Sequence, residues 1–343
     1  MGNGVSRSTM TLSRHLLSEH ARLSDPRELT TILDQLALGG KVIGRDLGVA
    51  GLINALGTTG DTNVQGETVQ KLDQRANDTF VQAFEGYGGF VKALVSEEME
   101  KPWEVGGGSA VGSRQDGGFV VFIDPLDGSS NLDANLTVGS IFSIHRLPGT
   151  DTADLSTQLL RRGADQVAAG YVLYGPSTVL VYTAGAGVHQ FVLDPGIGEF
   201  VLSASRLKMP PRGKVYGANE GNYPKWPRGV QRFVDFLREK DPNGGRPYSS
   251  RYSGCLVADV HRFLSGGGVY LYPGEANKPE GKLRLMYEAA PLAFILEQAG
   301  GAASTGTQRI ADILPTTIHQ RVPLIIGSRE EVTLAEEFIQ GKR

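Results

Sequence analysis

Residues Phe119 to Asn131 read FVVFIDPLDGSSN, and the fold turns on how this stretch divides. Phe119 to Ile123 is a continuous apolar run, with Val121 and Ile123 β-branched, as expected of a buried strand. It stops at Asp124-Pro125-Leu126-Asp127-Gly128, which sets two carboxylates at the carboxyl end of a core strand. Pro125 fixes φ and has no N–H to donate, and Gly128 permits a turn closed to other residues. Ser129, Ser130 and Asn131 are helix-cap and turn residues. Backbone N–H groups at such a strand-to-helix turn point outward and favour an anion. Oxygen ligands beside an anion cradle suit Mg²⁺ together with a phosphate. Taken alone, D-P-x-D-G is equally at home in an ordinary Asx turn.

A chain of 343 residues is expected to form two domains. Met209-Pro210-Pro211-Arg212-Gly213 reads as the linker, dividing the chain into 1–207 and 208–343. With 40% hydrophobic and 21% charged residues the composition is globular, and a net charge of −3 offers no electrostatic footprint for nucleic acid or an anionic membrane. Cys255 is the only cysteine, so no internal disulfide can form and a reducing compartment, the cytoplasm, is expected. No apolar run approaches the roughly 18 residues a bilayer span needs. The N-terminus lacks the apolar core of a signal peptide. It does fit the short Met-Gly-x-x-x-Ser pattern of myristoylation, through Met1, Gly2 and Ser6.

Ser24-Asp25-Pro26-Arg27-Glu28 has the form of a helix start, and Leu29, Ile32, Leu33 and Leu36 follow at helical spacing. A second apolar stretch runs from Val42 to Leu56, then a Gly/Thr/Asp/Asn loop over 57–66. A helix is expected over Thr68–Phe84 with Asp73 near its apolar stripe, and a strand over Ala93–Glu98. On a strand Glu97 and Glu98 would point to opposite faces. Trp103 to Gly118 reads as a loop. Short apolar runs from Ser140 to Ser203, separated by Gly, Pro and Asp, predict an antiparallel or mixed sheet. Beyond the linker come a strand near 214–219, helices around Val230–Leu237 and His261–Leu264, and a strand over Gly268–Pro273. Pro291 opens an apolar helix ended by Gly300-Gly301, followed by a strand, VPLIIGS, and an amphipathic tail helix.

The chain carries no P-loop, HExxH, GxSxG or CxxC motif. Its six histidines are scattered, and the 124–128 loop lacks the alternating oxygens of an EF-hand. What remains is acidic: Glu67, Glu97, Glu98, Asp124, Asp127 and Glu288, at strand ends and helix starts. If these converge, cations or raised pKa values must offset their repulsion, and hard divalent ions in a two-metal arrangement, about 3.5–4 Å apart, are the simpler answer.

Six segments resemble class I fructose-1,6-bisphosphatases in motif, order and spacing: SEE at 96–98, DPLDGSSN at 124–131, NEG at 219–221, RYSG at 251–254, VADVHR at 257–262 and GKLRLMYE at 281–288. The likeness runs from about residue 28 to the C-terminus. D-P-x-D-G alone is shared with inositol monophosphatase relatives, whereas RYSG and GKLRLMYE are specific to the fructose bisphosphatases. The resemblance implies an α/β fold, the layered α-β-α-β-α sandwich of these metal-dependent phosphatases. It implies Mg²⁺-dependent hydrolysis of fructose 1,6-bisphosphate to fructose 6-phosphate and phosphate, as in gluconeogenesis, with two or more Mg²⁺ per subunit and Mn²⁺ or Zn²⁺ as substitutes. Glu97, Asp124, Asp127, Glu288 and the Leu126 carbonyl match metal ligands, and Glu67, where the family usually has aspartate, matches a looser third site. Asp73 and Glu98 match the pair that orients and deprotonates the attacking water. Gly128, Ser129 and Ser130, beside Asp127, match the 1-phosphate site. Asn219, Tyr252, Tyr272 and Lys282 match the sugar and 6-phosphate site, and Arg251 matches an arginine that reaches into a neighbouring subunit of a homotetramer.

Asn222 and Leu256 depart from the animal enzymes, which have a phosphate-binding tyrosine and a methionine there. AMP-inhibited members have small residues at the start of the first long helix and a Lys-Tyr pair on the facing strand. Pro26 and Gly118-Phe119 replace them here, so weak or no AMP inhibition is expected. With Cys255 alone, no intramolecular disulfide switch is expected. The rival readings are a sedoheptulose-1,7-bisphosphatase or dual enzyme and a non-catalytic sugar-phosphate or divalent-ion binding module. Presence of both Asp73 and Glu98 argues against the module, because binding alone needs no water-activating pair.

Overall fold

The computed structural model describes residues 9–19, 26–53, 55–62, 68–87, 89–106, 118–148 and 154–343. Along the strand Gly118–Asp127, which is buried throughout, side chains alternate between two apolar layers. Val120 and Phe122 enter one layer, while Phe119, Val121 and Ile123 enter the other. A strand apolar on both faces needs cover on both, and that requirement sets the architecture.

A hairpin, β1 (Thr58–Thr62) and β2 (Thr68–Gln70), precedes the first sheet. That sheet comprises β3 (Val91–Ser96), β4 (Trp103–Glu104), β5 (Gly118–Asp127), β6 (Val138–Leu147), β7 (Gln166–Tyr174), β8 (Thr178–Thr183), β9 (Val188–Asp194) and β10 (Glu199–Ala204). Its eight strands run in the order 10-9-8-7-6-5-3-4, antiparallel except between β3 and β5. The second sheet has β11 (Val215–Ala218), β12 (Ser249–Ser250), β13 (Val269–Tyr272), β15 (Ala302–Ser304) and β17 (Leu324–Gly327), in the order 12-11-13-17-15. A two-strand pair, β14 (Leu283–Arg284) with β16 (Arg321–Val322), stands apart.

The helices are α1 (Leu12–Glu19), α2 (Pro26–Gly48), α3 (Lys71–Phe84), α4 (Leu155–Gln158), α5 (Arg228–Arg238), α6 (Leu256–Gly266), α7 (Ala290–Gln298) and α8 (Arg329–Ile339). Leu29, Ile32, Leu33 and Leu36 of α2, with Leu72, Ala76, Phe80 and Phe84 of α3, cover the outer face of the first sheet. α6 and α7 fill the space between the sheets through Val257, Val260, Phe263, Leu292, Ile295 and Leu296. Val230, Phe233 and Val234 of α5 and Val332, Ala335 and Phe338 of α8 close the far side. Strand alternation assigns each face: Tyr270, Leu324 and Ile326 point to the middle layer, and Val269, Leu271 and Ile325 to the far one. The result is five layers, α-β-α-β-α. Each fully buried Leu, Ile or Phe contributes about 1.5–3 kcal/mol, so these three layers dominate the stability of the fold.

Close packing of α2 depends on two small residues. A Cβ on Gly39 would stand 2.5 Å from the Phe80 ring, and one on Gly40 would stand 2.9 Å from Val172. The helix therefore sits tight against both α3 and the sheet.

Several expectations shift. The two apolar stretches before residue 57 belong to one helix as far as Gly48, which runs on through Gly39 and Gly40 because both are packed against Phe80 and Val172; residues 49–53 leave it in turns and 55–56 lie beyond it. Residues 68–70 are strand and not helix, since they pair with the preceding strand across the hairpin. β5 does not end at Asp124 but continues to Asp127. The helical run near Pro291 begins earlier, with a π turn over Leu285–Ala289. Trp103–Glu104 forms a short edge strand within the expected loop. The expected helix cap at Asp25, the residues of the myristoylation pattern and Glu67 lie outside the described residues. No helix among the described residues is long and apolar enough to cross a membrane.

Candidate active site

A bulge aims the two aspartates. In the β5–β6 ladder Asp124 is opposite Ile141 and Asp127 is opposite Gly139, so β5 holds one extra residue between them. In a regular strand positions 124 and 127 would face opposite sides; the inserted residue brings them round to one. Pro125 fits where the ladder is interrupted, since no N–H is needed there. Its carbonyl accepts a hydrogen bond from Ser140 Oγ at 2.7 Å, and Ser140 Oγ lies 2.9 Å from the Tyr174 hydroxyl. Asp124 Oδ1 accepts from the Leu126 N–H at 3.1 Å, which closes the turn.

Asp127 is anchored from the other sheet's side. One of its oxygens, Oδ2, accepts from the Val257 N–H at 2.7 Å and from the Cys255 thiol at 3.0 Å, both at the start of α6. Glu288 rides on the π turn, an insertion that often marks a functional position, and accepts from the Arg284 N–H. Arg284 itself is buried and lies 2.8 Å from Glu97 and 3.9 Å from Glu288. One oxygen each of Asp124, Asp127 and Glu288 falls within 4.8 Å of the others. Asp73, Glu97, Asp124, Asp127 and Glu288 are all buried.

Such crowding raises the cost of ionisation. Asp124 is pushed well above the usual carboxylate range, first by burial and then by the negative charges of Glu97, Asp127 and Glu288, with Arg284 opposing. Asp127 is also raised by burial, against hydrogen bonds from the Val257 N–H, the Cys255 thiol and the Leu256 N–H and the charge of Arg284. Burial and the neighbouring Asp127 carboxylate push the Cys255 thiol well up, so it stays protonated.

The same cleft is lined by Gln70, Asp73, Glu97, Glu98, Asp124, Leu126, Asp127, Gly128, Ser129, Ser130, Arg284 and Glu288. Asp73 stands at the third position of α3, where its Oδ2 accepts from the Gln70 N–H at 2.9 Å. The expectation that Glu97 and Glu98 face opposite ways does not hold. β3 ends at Ser96, so both glutamates sit in the following turn and both reach the cleft. Gly128 takes φ of +77°, and an added Cβ would stand 2.7 Å from that of Cys255. Ser129 and Ser130 begin a short 3₁₀ turn, not an α-helix, and Asn131 fastens it through Nδ2 to the carbonyls of Thr137 and Ser253, each at 3.1 Å.

A second recess gathers Asn219, Asn222, Trp226, Tyr272, Lys278 and Lys282, among others. Tyr252 does not line it but stacks on Tyr270, whose ring in turn stacks on Tyr272, with centroids 6.3 and 6.2 Å apart. Burial, then Tyr272 and the carboxylates of Asp259 and Asp127, raise the Tyr252 hydroxyl to about 12. Arg251 is exposed and lines neither cleft, with its guanidinium on the Ser250 carbonyl at 2.7 Å. Leu256 is buried in the middle apolar layer.

Three site residues escaped the reading of the sequence: Arg284, Gln70 and Cys255. Arg284 had a signal, an arginine flanked by two leucines in KLRLMYE beside an expected cluster of acids. Gln70 had none. The donor set fits a hard divalent cation: clustered carboxylate oxygens, buried, too close to be ionised together without added positive charge.

The chain matches the family model described as fructose-1-6-bisphosphatase, N-terminal domain, over residues 10–205. It matches the corresponding C-terminal domain model over 209–340. A class 1 fructose-1,6-bisphosphatase of Synechococcus sp. (strain JA-2-3B'a(2-13)) is 53% identical over 338 residues, covering 98% of this chain and 98% of that protein. The class 1 fructose-1,6-bisphosphatase of Nostoc punctiforme is 48% identical over 339 residues, covering 98% of this chain and 94% of its own. Among solved structures, the holo form of Leishmania major fructose-1,6-bisphosphatase superposes with a TM-score of 0.89 at 39% identity, over 97% of this chain and 99% of that one. The apo form of the same enzyme gives 0.82 at 38% identity, over 97% and 100%.

Proposed function

The chain belongs to the fructose-1,6-bisphosphatase family, and on that premise we propose how its residues divide the hydrolysis of fructose 1,6-bisphosphate between them. The activity itself, release of phosphate from fructose 1,6-bisphosphate, follows from family and from near-complete coverage by class 1 relatives. The observation that carries the assignment of roles is the buried triad Asp124, Asp127 and Glu288 within 4.8 Å.

Glu97, Asp124, Asp127, Glu288 and the Leu126 carbonyl would hold Mg²⁺, two or more ions per subunit, with Glu67 at a looser position. The bound ions would supply charge neutralisation of the phosphoryl group and activation of water at neutral pH. Asp127 and Glu288 are presented rigidly by backbone hydrogen bonds, so little ordering remains to be done on binding. Asp73 and Glu98 border the same cleft and would orient the attacking water and accept its proton. Gly128, Ser129 and Ser130 would bind the 1-phosphate, the turn that presents them being made possible by the positive φ of Gly128. Asn219, Tyr272 and Lys282 meet in the second recess, which supports their binding the 6-phosphate and sugar, with Tyr252 joined to Tyr272 through the ring of Tyr270. Lys282 adds positioning energy from the non-reacting end of the substrate.

We further propose a division into 1–207 and 208–343, a homotetramer to which Arg251 contributes across an interface, and a cytoplasmic location. ³¹P NMR of fructose 1,6-bisphosphate turnover tests the assignment of the two ends. The 1-phosphate resonance should vanish while the 6-phosphate resonance persists in the product; loss of the 6-phosphate would reverse the assignment.

A further inference from the structure

Asp127 accepts two hydrogen bonds on one oxygen. The Val257 N–H approaches Oδ2 at 2.7 Å and the Cys255 Sγ at 3.0 Å. The sulfur is itself fixed. It caps α6, accepting from the Ala258 N–H at 3.4 Å, while the Cys255 N–H donates to Ser253 Oγ at 3.2 Å and Ser253 Oγ donates to the Cys255 carbonyl at 3.0 Å. Cys255 is fully buried, so no water competes for Asp127 from that side. Gly128 gives the sulfur its room, because a Cβ there would stand 3.3 Å from Sγ and 2.7 Å from the Cys255 Cβ.

We propose that Cys255 is a positioning residue that, with the Val257 amide, occupies Oδ2 of Asp127 and so leaves only Oδ1 to face a divalent cation. This rests on the metal reading given above. The chemistry follows from ligand preference. Mg²⁺ takes single oxygens in strict octahedral geometry, whereas Ca²⁺ accepts more ligands and readily takes both oxygens of one carboxylate. A thiol that holds back one oxygen therefore favours Mg²⁺ or Mn²⁺ over Ca²⁺. Partners behind a ligand typically change metal affinity by about 10–100-fold.

The test is Mn²⁺ binding to the substrate-free, full-length protein, followed by EPR, with Ca²⁺ as competitor. Cys255→Ala loses the donor, Cys255→Val loses it while keeping bulk, and Cys255→Ser restores a donor. Mn²⁺ affinity should fall about 10-fold or more in the Ala and Val variants, with Ca²⁺ competing relatively better, and should recover in the Ser variant. Equal Mn²⁺ affinity and Ca²⁺ competition in all four proteins would overturn the inference. So would an equal loss in Ser, Ala and Val, which would assign the effect to packing. An unmodified protein that binds no Mn²⁺ would overturn the metal reading itself, and this outcome is distinct from the other two.

Discussion

At the carboxylate cleft the acidic groups are held from behind, Asp73 and Asp127 by backbone N–H groups and Glu97 and Glu288 by the buried Arg284. In the Lys282 recess the polar groups come from separate segments and reach outward: Asn219 and Lys282 are exposed and Tyr272 half-buried. The first region concentrates like charge away from water and is rigid; the second keeps its charge hydrated until a ligand arrives. The contrast separates two tasks. Stabilising developing charge requires groups fixed before the reaction, whereas holding a remote phosphate needs only affinity.

The largest expected effect is at Asp124. Asp124→Asn should lower kcat by about 10³-fold or more, several kcal/mol of barrier, by removing a charged ligand. In chelated protein the same change should raise Tm by a few degrees, because one charge leaves a crowded buried cluster. Normal turnover by this variant would dissolve the distinction between the two regions.

Arg284→Met comes next. Removing one partner of a buried pair costs about 3–5 kcal/mol of stability, since Glu97 and Glu288 lose their counter-charge. Denaturant unfolding with chelator and with saturating Mg²⁺ should show the variant gaining more from Mg²⁺ than the unmodified protein gains. Equal gains would place Arg284 outside the charge balance of the cleft.

Lys282→Ala should raise KM for fructose 1,6-bisphosphate by about 30-fold, equivalent to about 2 kcal/mol, with a smaller change in kcat. With fructose 1-phosphate as substrate the effect should nearly vanish. An equal effect on both substrates would remove Lys282 from the distant end.

The smallest effect is a pH slope, and it has opposite signs in the cleft and in the core. Burial lowers His145 from its ordinary 6.5 to about 3. Between those values the unfolded chain binds the extra proton, so stability should fall as pH falls, by up to about 1.4 kcal/mol per unit. Asp124 is raised, so in metal-free protein the folded state binds the extra proton and falling pH relieves its penalty. His145→Phe should flatten the first slope in a chelated urea titration, and Asp124→Asn the second. If both substitutions left the curve unchanged, burial would not be setting these ionisations.

The same contrast explains what could be read in the sequence. Asp124, Leu126, Asp127, Gly128, Ser129 and Ser130 are contiguous, so a strand followed by a turn already implied their grouping. The FVVFI run and the apolar helices showed that each needed cover on particular faces, and the even spacing of short runs showed a sheet. The five-layer arrangement came instead from the resemblance to a family, because the stacking of two sheets depends on contacts distant in the chain. The bulge between Asp124 and Asp127 was not legible, since it depends on β6 and on the Ser140–Pro125 contact. Nor was it legible that Glu97 and Glu98 both line the cleft, which requires β3 to stop at Ser96. Arg284 resembles a surface cation beside Lys282 in sequence, and only the approach of Glu97, far away along the chain, makes it a buried one. In the second recess Asn219, Tyr272 and Lys282 have no shared local pattern; resemblance to a family grouped them where spacing could not.

The central claim is that the buried carboxylates form a divalent-metal centre for hydrolysis of the 1-phosphate. The most direct measurement is phosphate release from fructose 1,6-bisphosphate by exhaustively chelated protein, before and after graded addition of Mg²⁺. The account predicts no turnover in the chelated state and full, saturable recovery with Mg²⁺, absent in Asp124→Asn. Undiminished turnover after complete removal of divalent ions would contradict it.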